Sequence, residues 1–130
     1  MEKYFYPAVF EAEDIGFSVC VPDIPGCITE GDTLEKAFTM TKDAIGIMFS
    51  TLKDLKQDIP KPSDPSKIQT GDHQTIVIIE FDYMEYLKRN DSKAVKKTLS
   101  IPSWLNQEAL DAGINFSQAL QETLVARLAK

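Results

Sequence analysis

The sequence predicts an α+β protein in two parts. A small β-sheet covered by one long helix comes first; after a linker follows a strand-helix-helix tail. Three observations predict this. Aromatic and branched residues gather in short runs bounded by Gly and Pro, as strands and their turns require. One stripe of apolar residues at three-and-four spacing runs from Leu34 to Leu55, the pattern of a helix with a single buried face. From Lys96 a short alternating segment leads directly into two apolar segments separated by Gly113.

The elements follow in order. Tyr4 to Glu11 and Gly16 to Val21 read as an antiparallel hairpin turning at Asp14 to Gly16. Pro22-Asp-Ile-Pro-Gly ends the second strand, because proline cannot donate to a ladder and glycine permits a tight bend. Cys27 to Glu30 suits a short third strand. Asp32 is placed to cap a helix, with Glu35 three residues later completing a capping box. The buried stripe is then Leu34, Ala37, Phe38, Thr41, Ile45, Met48, Leu52 and Leu55, with Met40 and Met48 as core filler. Gln57 to Gln74, with its three prolines, is a loop expected to be mobile in part. Thr75 to Phe81 is nearly all apolar and branched, which predicts a strand buried on both faces at or beside the middle of the sheet. Tyr83 to Lys88 suits a short helix. The expected organisation is a first domain over 1–88, a linker over 89–95 whose Asp91 to Lys93 lets the domains reorient, and a tail over 96–130.

With 43% hydrophobic residues in 130 the chain is globular. Its net charge is −6, unevenly spread: −8 through Lys88 and +2 from Arg89 onward. The whole surface is therefore unsuited to indiscriminate nucleic-acid binding, while an acidic body with a mildly basic tail suits two partners of opposite sign. Cys20 and Cys27 have no metal-type companions at ligand spacing and read as reduced thiols of a cytoplasmic protein. The start resembles no signal peptide, and no apolar run reaches the length of a membrane span. His73 lies in a polar loop with no evident partner. No Gly-rich phosphate loop, metal cluster or Ser/His/Asp set follows from the spacing, so no cofactor, no metal and no catalytic residue are expected.

A tail of roughly thirty-five residues buries too little apolar surface to fold alone, so it reads as half of an intertwined dimer. Lys96, Thr98 and Ser100 fall on one phase of the alternating segment, Leu99 and Ile101 on the other. Two such strands paired across a dimer form a ribbon with hydroxyls and ammonium groups outward, an element that fits the DNA major groove. The pattern looks like a ribbon-helix-helix module. Lys97, on the inward phase, can still reach a phosphate. Pro102 suits a helix's first turn and Gly113 a left-handed helix end. Asn115 caps the second helix with Gln118 in box position, and the free N–H groups beside Asn115 and Ser117 suit a phosphate. The expected dimer core is Leu99, Ile101, Trp104, Leu105, Leu110, Phe116, Leu120 and Leu124. The alternative for Lys96, Thr98 and Ser100 is an edge strand whose polar residues discourage aggregation.

Tyr6-Pro-Ala-Val-Phe-Glu, then Gly16 through Val21-Pro-Asp-Ile-Pro-Gly-Cys to Gly31-Asp-Thr-Leu-Glu-Lys-Ala, is similar to the N-terminal domain of HicB antitoxins. The resemblance covers essentially the whole chain. It implies a reduced RNase H-like fold followed by a DNA-binding tail, and an antitoxin that blocks a small basic mRNA-cleaving toxin of the HicA type while its tail represses its own operon. Opposite potentials suit such a pair, and a two-fold dimer, or a pair of dimers, suits a palindromic operator. Glu11, Glu13, Asp14, Asp23 and Glu30 are the toxin-binding candidates, expected on turns at one end of the sheet. A metal-dependent nuclease is disfavoured, because Glu11 and Glu80 lie on strands while Asp14, Asp23 and Asp32 lie in turns or at a cap. The second reading is a solitary repressor whose N-terminal domain senses a small ligand.

Overall fold

The computed structural model describes residues 3–90 and 94–129 and divides into two compact units, 1–93 and 94–130. In the first unit four antiparallel strands, β1 (Lys3–Ala12), β2 (Phe17–Cys20), β3 (Ile28–Gly31) and β4 (Gln74–Asp82), lie in the order β3-β2-β1-β4. Ala12 pairs with Phe17 across the expected hairpin, and Phe17 with Gly31 in the next pair. Helix α1 (Leu34–Asp54) covers one sheet face and α2 (Tyr83–Asn90) follows β4 directly. Arg89 and Asn90, expected in the linker, are thus helical. Residues 91–93, on which the expected reorientation falls, lie outside the described residues.

Period-two alternation explains the core. Tyr6, Ala8 and Phe10 of β1, Val19 of β2 and Ile79 and Phe81 of β4 pack against Ala37, Ile45 and Phe49 of α1. Phe49, absent from the expected stripe, is its centre, making edge contacts with Tyr4, Tyr6 and Phe81 at 5.0, 6.1 and 4.8 Å. The expected stripe holds through its middle, where Ala37, Thr41 and Ile45 are buried; Gly46 and Phe49 join it, whereas Leu34, Met40 and Leu55 are exposed. Small Gly46 is what lets the Tyr86 ring of α2 lie against α1, since a Cβ there would meet it at 2.2 Å. Buried Thr41 satisfies its hydroxyl by donating to the Ala37 carbonyl, 2.7 Å away.

Two further expectations change. Thr33, not Asp32, caps α1: its side chain accepts the Lys36 N–H, so Glu35 falls too early for a capping box. The loop over 57–74 is anchored at three places near its start. Tyr6 donates its hydroxyl to the Pro60 carbonyl, Asp23 accepts the Ser63 N–H at 2.9 Å, and Ile59 packs on the core. β4 is an edge strand, not a central one, buried chiefly through Ile79 and Phe81. On the sheet face away from α1, Phe5, Ile28 and Ile78 are 51%, 71% and 43% exposed.

Cys20 is exposed and Cys27 buried, both free. Burial, with a smaller contribution from Cys20, pushes the Cys27 thiol up to about 11. At pH 8 iodoacetamide is therefore expected to label Cys20 of the folded protein and spare Cys27 until denaturant is added. Equal labelling of both thiols in the folded state, read by mass spectrometry, would contradict this packing.

The second unit holds α3 (Ser103–Asp111) and α4 (Phe116–Leu128). Residues 94–102 form no strand within the single chain, so the strand expected from Lys96 onward is not seen here. Pro102 stands at the N-cap position of α3, one place before the expected first turn. Gly113 is left-handed, with φ of 72°, and so allows the tight turn between the helices.

Candidate interaction surfaces

Two surfaces carry the candidate residues, one on each unit. The first is the end of the sheet at the β1–β2 turn. Glu11, Ser18 and Glu30 stand in register across β1, β2 and β3, so two carboxylates share the face away from α1. Gly16, with φ of 78°, brings the hairpin tip bearing Glu13 and Asp14 against Gly31 and Asp32; a Cβ on Gly16 would lie 2.1 Å from the Gly31 carbonyl oxygen. On the other side, Ala12 donates its N–H to the His73 carbonyl, which draws Asp72 to the same end. Gln74 fixes Glu11 by donating to its Oε1 at 2.9 Å.

Glu11, Glu13, Asp14 and Glu30 are thereby brought together and exposed, as the sequence predicts. Asp23 is not. It lies in the turn between β2 and β3 at the opposite end, held by the Ser63 N–H. Asp72, which sequence reasoning missed, joins the acidic end only because β4 runs antiparallel beside β1, a long-range pairing that no local pattern announces. Among the described residues no group of three or more His, Cys, Asp or Glu could hold a metal ion.

The second surface is an apolar groove on the tail. Leu99, Ile101, Leu105, Ala109, Ile114, Phe116 and Leu120 line it, with Lys97, Ser117 and Thr123 at its polar parts. Residues 97, 99 and 101 all reach the groove while Lys96, Thr98 and Ser100 do not, which is the alternation expected of an extended segment. Ser117 and Lys97 are thus set apart from the other DNA candidates. Trp104, Leu110 and Leu124, expected in the dimer core, lie outside the groove and are at least half exposed. Asn115 caps α4 by accepting the Gln118 N–H at 3.0 Å, as expected; Gln118 turns its own side chain to Glu122 instead of closing a box. Among the described apolar residues of the tail only Ala109 is buried, leaving Leu99 62%, Phe116 42% and Leu120 37% exposed.

Comparison with known proteins decides the family. A model described as the HicB-like antitoxin of bacterial toxin-antitoxin systems matches residues 6–129. The chain belongs to the HicB-like antitoxin family. It is 41% identical over 58 residues to antitoxin HicB 2 of Photorhabdus laumondii, a match that spans 45% of this chain and 42% of that protein. It is also 30% identical over 102 residues to an uncharacterised 14.9 kDa protein of Haemophilus phage HP1, covering 77% of this chain and 74% of the phage protein. Among solved structures, a toxin-antitoxin complex from Streptococcus pneumoniae matches with a TM-score of 0.58 and 28% identity, over 97% of this chain and 99% of that one. The crystal structure of antitoxin HicB3 matches with a TM-score of 0.55 and 26% identity, over 95% and 97%.

Proposed function

We propose that this HicB-like chain neutralises a small, basic, mRNA-cleaving toxin of the HicA type and, as a dimer joined through its tail, represses its own operon. The observation that carries the reading is the division of labour between the units. One presents a carboxylate-rich end built by Glu11, Glu13, Asp14 and Glu30; the other presents an apolar groove that buries almost nothing within one chain. The first unit is read as a reduced RNase H-like domain without catalysis, and it works by occlusion: its acidic end covers the toxin's RNA-cleaving site. Opposite potentials speed that encounter and reject wrong partners. The toxin-antitoxin complex among the similar structures supports this reading.

The test is RNA cleavage by the toxin in the presence of the full chain. Saturating antitoxin is expected to stop cleavage, and the triple variant Glu13→Lys/Asp14→Lys/Glu30→Lys to weaken inhibition about tenfold or more, since each 1.4 kcal/mol is a decade. Undiminished inhibition by that variant would move the toxin site elsewhere on the molecule.

In the tail, two copies of residues 96–101 pair as a ribbon over the joined grooves, a ribbon-helix-helix arrangement with Lys96, Thr98 and Ser100 toward the DNA major groove. Lys97 and the N-terminus of α4 at Asn115 and Ser117 approach phosphates. Lys96→Ala is expected to cost about 1–3 kcal/mol of operator affinity if it reads a base, and to lower the salt slope by about 1 if it neutralises a phosphate. Unchanged affinity and salt slope in a mobility-shift titration would place the DNA surface outside the ribbon.

A further inference from the structure

The two ends of the open sheet face treat their carboxylates differently. At one end Glu80 is ion-paired with Lys3, 3.0 Å away, so its charge is locally neutralised. At the other end a neutral group holds Glu11. Gln74 stands opposite it in the β1–β4 register, and Gln74 Nε2 donates to Glu11 Oε1 at 2.9 Å. The rest of that amide is committed too: Gln74 Oε1 accepts the Gly71 N–H at 2.9 Å. With both ends used, the amide has one orientation, and it can only donate to the carboxylate. A lysine in its place would neutralise Glu11, whereas glutamine fixes the carboxylate and leaves its charge for a partner. Gln74 also shapes its own turn. Its N–H donates to the Gly71 carbonyl at 3.2 Å, the closing bond of a β-turn whose central residues are Asp72 and His73. The His73 carbonyl accepts the Ala12 N–H at 3.0 Å, fastening that turn to the end of β1. Asp72 thereby lines one cleft with Glu11, Glu13 and Asp14, and among the described residues no lysine or arginine lines it.

We propose that Gln74 is a positioning residue for toxin binding and that Asp72, on the turn it closes, is a further toxin contact. The proposal rests on the reading that the acidic end binds the toxin, and it names what that end receives: a guanidinium or ammonium group of the toxin, seated between Glu11 and Asp72. A glutamate side chain has several rotatable bonds, and ordering them on binding works against affinity. Gln74 orders Glu11 beforehand, a preorganisation worth about two- to tenfold in affinity. Gln74 itself need touch no toxin atom; it acts through the two carboxylates that it places.

Inhibition of RNA cleavage, titrated with the full chain against the toxin that co-purifies with it, tests this, with circular dichroism to show that each variant stays folded. Glu11→Gln and Asp72→Asn are each expected to weaken inhibition about two- to fivefold, the range of an exposed ion pair. Gln74→Ala is expected to weaken it about two- to tenfold. The deciding readout is the background. In a Glu11→Gln/Asp72→Asn chain, adding Gln74→Ala is expected to cost nothing more, because the groups it positions are already gone. An undiminished loss in that background would mean that Gln74 only supports the fold, and would overturn the proposal; so would full inhibition by Gln74→Ala or by Asp72→Asn. Full inhibition by all of these and by Glu13→Lys/Asp14→Lys/Glu30→Lys would instead reject the acidic end as the toxin site, and the proposal with it. Should Gln74→Ala fail to fold, Gln74→Met, which keeps the bulk of the side chain without its hydrogen bonds, takes its place in every comparison.

Discussion

Gly16→Ala is expected to destabilise the N-terminal unit by about 2–5 kcal/mol, from two independent causes. The residue has φ of 78°, a left-handed conformation that costs an L-residue about 1–2 kcal/mol. The new Cβ would also lie 2.1 Å from the Gly31 carbonyl oxygen and 2.7 Å from the Asp32 Cα. Those neighbours are backbone, so they cannot rotate aside, and overpacking of this kind costs about 1–3 kcal/mol or more. The damage falls where Glu13, Asp14 and Glu30 are brought together. Toxin inhibition should therefore weaken while operator binding by the tail persists, because the tail is a compact unit of its own. Denaturant unfolding followed by far-UV circular dichroism measures the loss. A change within about 0.5 kcal/mol, the range of an innocuous surface substitution, would contradict the close approach of hairpin tip and helix entry.

The same glycine shows how far the sequence could be read. Its place after Glu-Asp-Ile marked a turn, and the hairpin formed as expected, because turn chemistry is local. Helix α1 was legible for the same reason, and Ala37, Thr41 and Ile45 are buried as expected; the stripe was wrong at its ends and incomplete, since Leu34 and Leu55 are exposed while Gly46 and Phe49 are core. Helical periodicity gives a stripe, but which way it turns depends on what packs opposite, here the aromatic cluster of β1, β4 and α2. Asp72 was missed because its position depends on the pairing of β1 with β4, far apart in sequence; Asp23 was misplaced although the local β2–β3 pairing sets its turn at the opposite end of the sheet. β4 is the instructive case. Its composition described a flanked strand, and the single chain supplies only one flank. In the tail, alternation over residues 97–101 was legible, whereas the exclusion of Trp104, Leu110 and Leu124 from the groove was not, since helix positions next to a groove share its apolar pattern.

Phe116→Ala should have the larger effect on the tail. Phe116 is 42% exposed in the single chain and lies in the groove beside Leu99, Ile101 and Leu120, so the paired copy would cover that remaining part. Truncating a fully buried Phe costs about 3–5 kcal/mol; the share that pairing buries is about 1–2 kcal/mol per copy, so a dimer with two copies is expected to lose about 2–4 kcal/mol. At 1.4 kcal/mol per decade this is a loss of about two orders of magnitude in dimer affinity. Operator binding should fall with it, because two half-sites are read only when both ribbon strands are present. Lys96→Ala makes the control: it should weaken DNA binding by the smaller amount given above while tail pairing stays intact. Phe116→Ala protein that binds operator at native affinity would mean that the groove does not pair the tails. If both variants behave as expected, the apolar phase of residues 96–101 holds the dimer and the polar phase reads the DNA, two jobs divided between the two faces of one short segment.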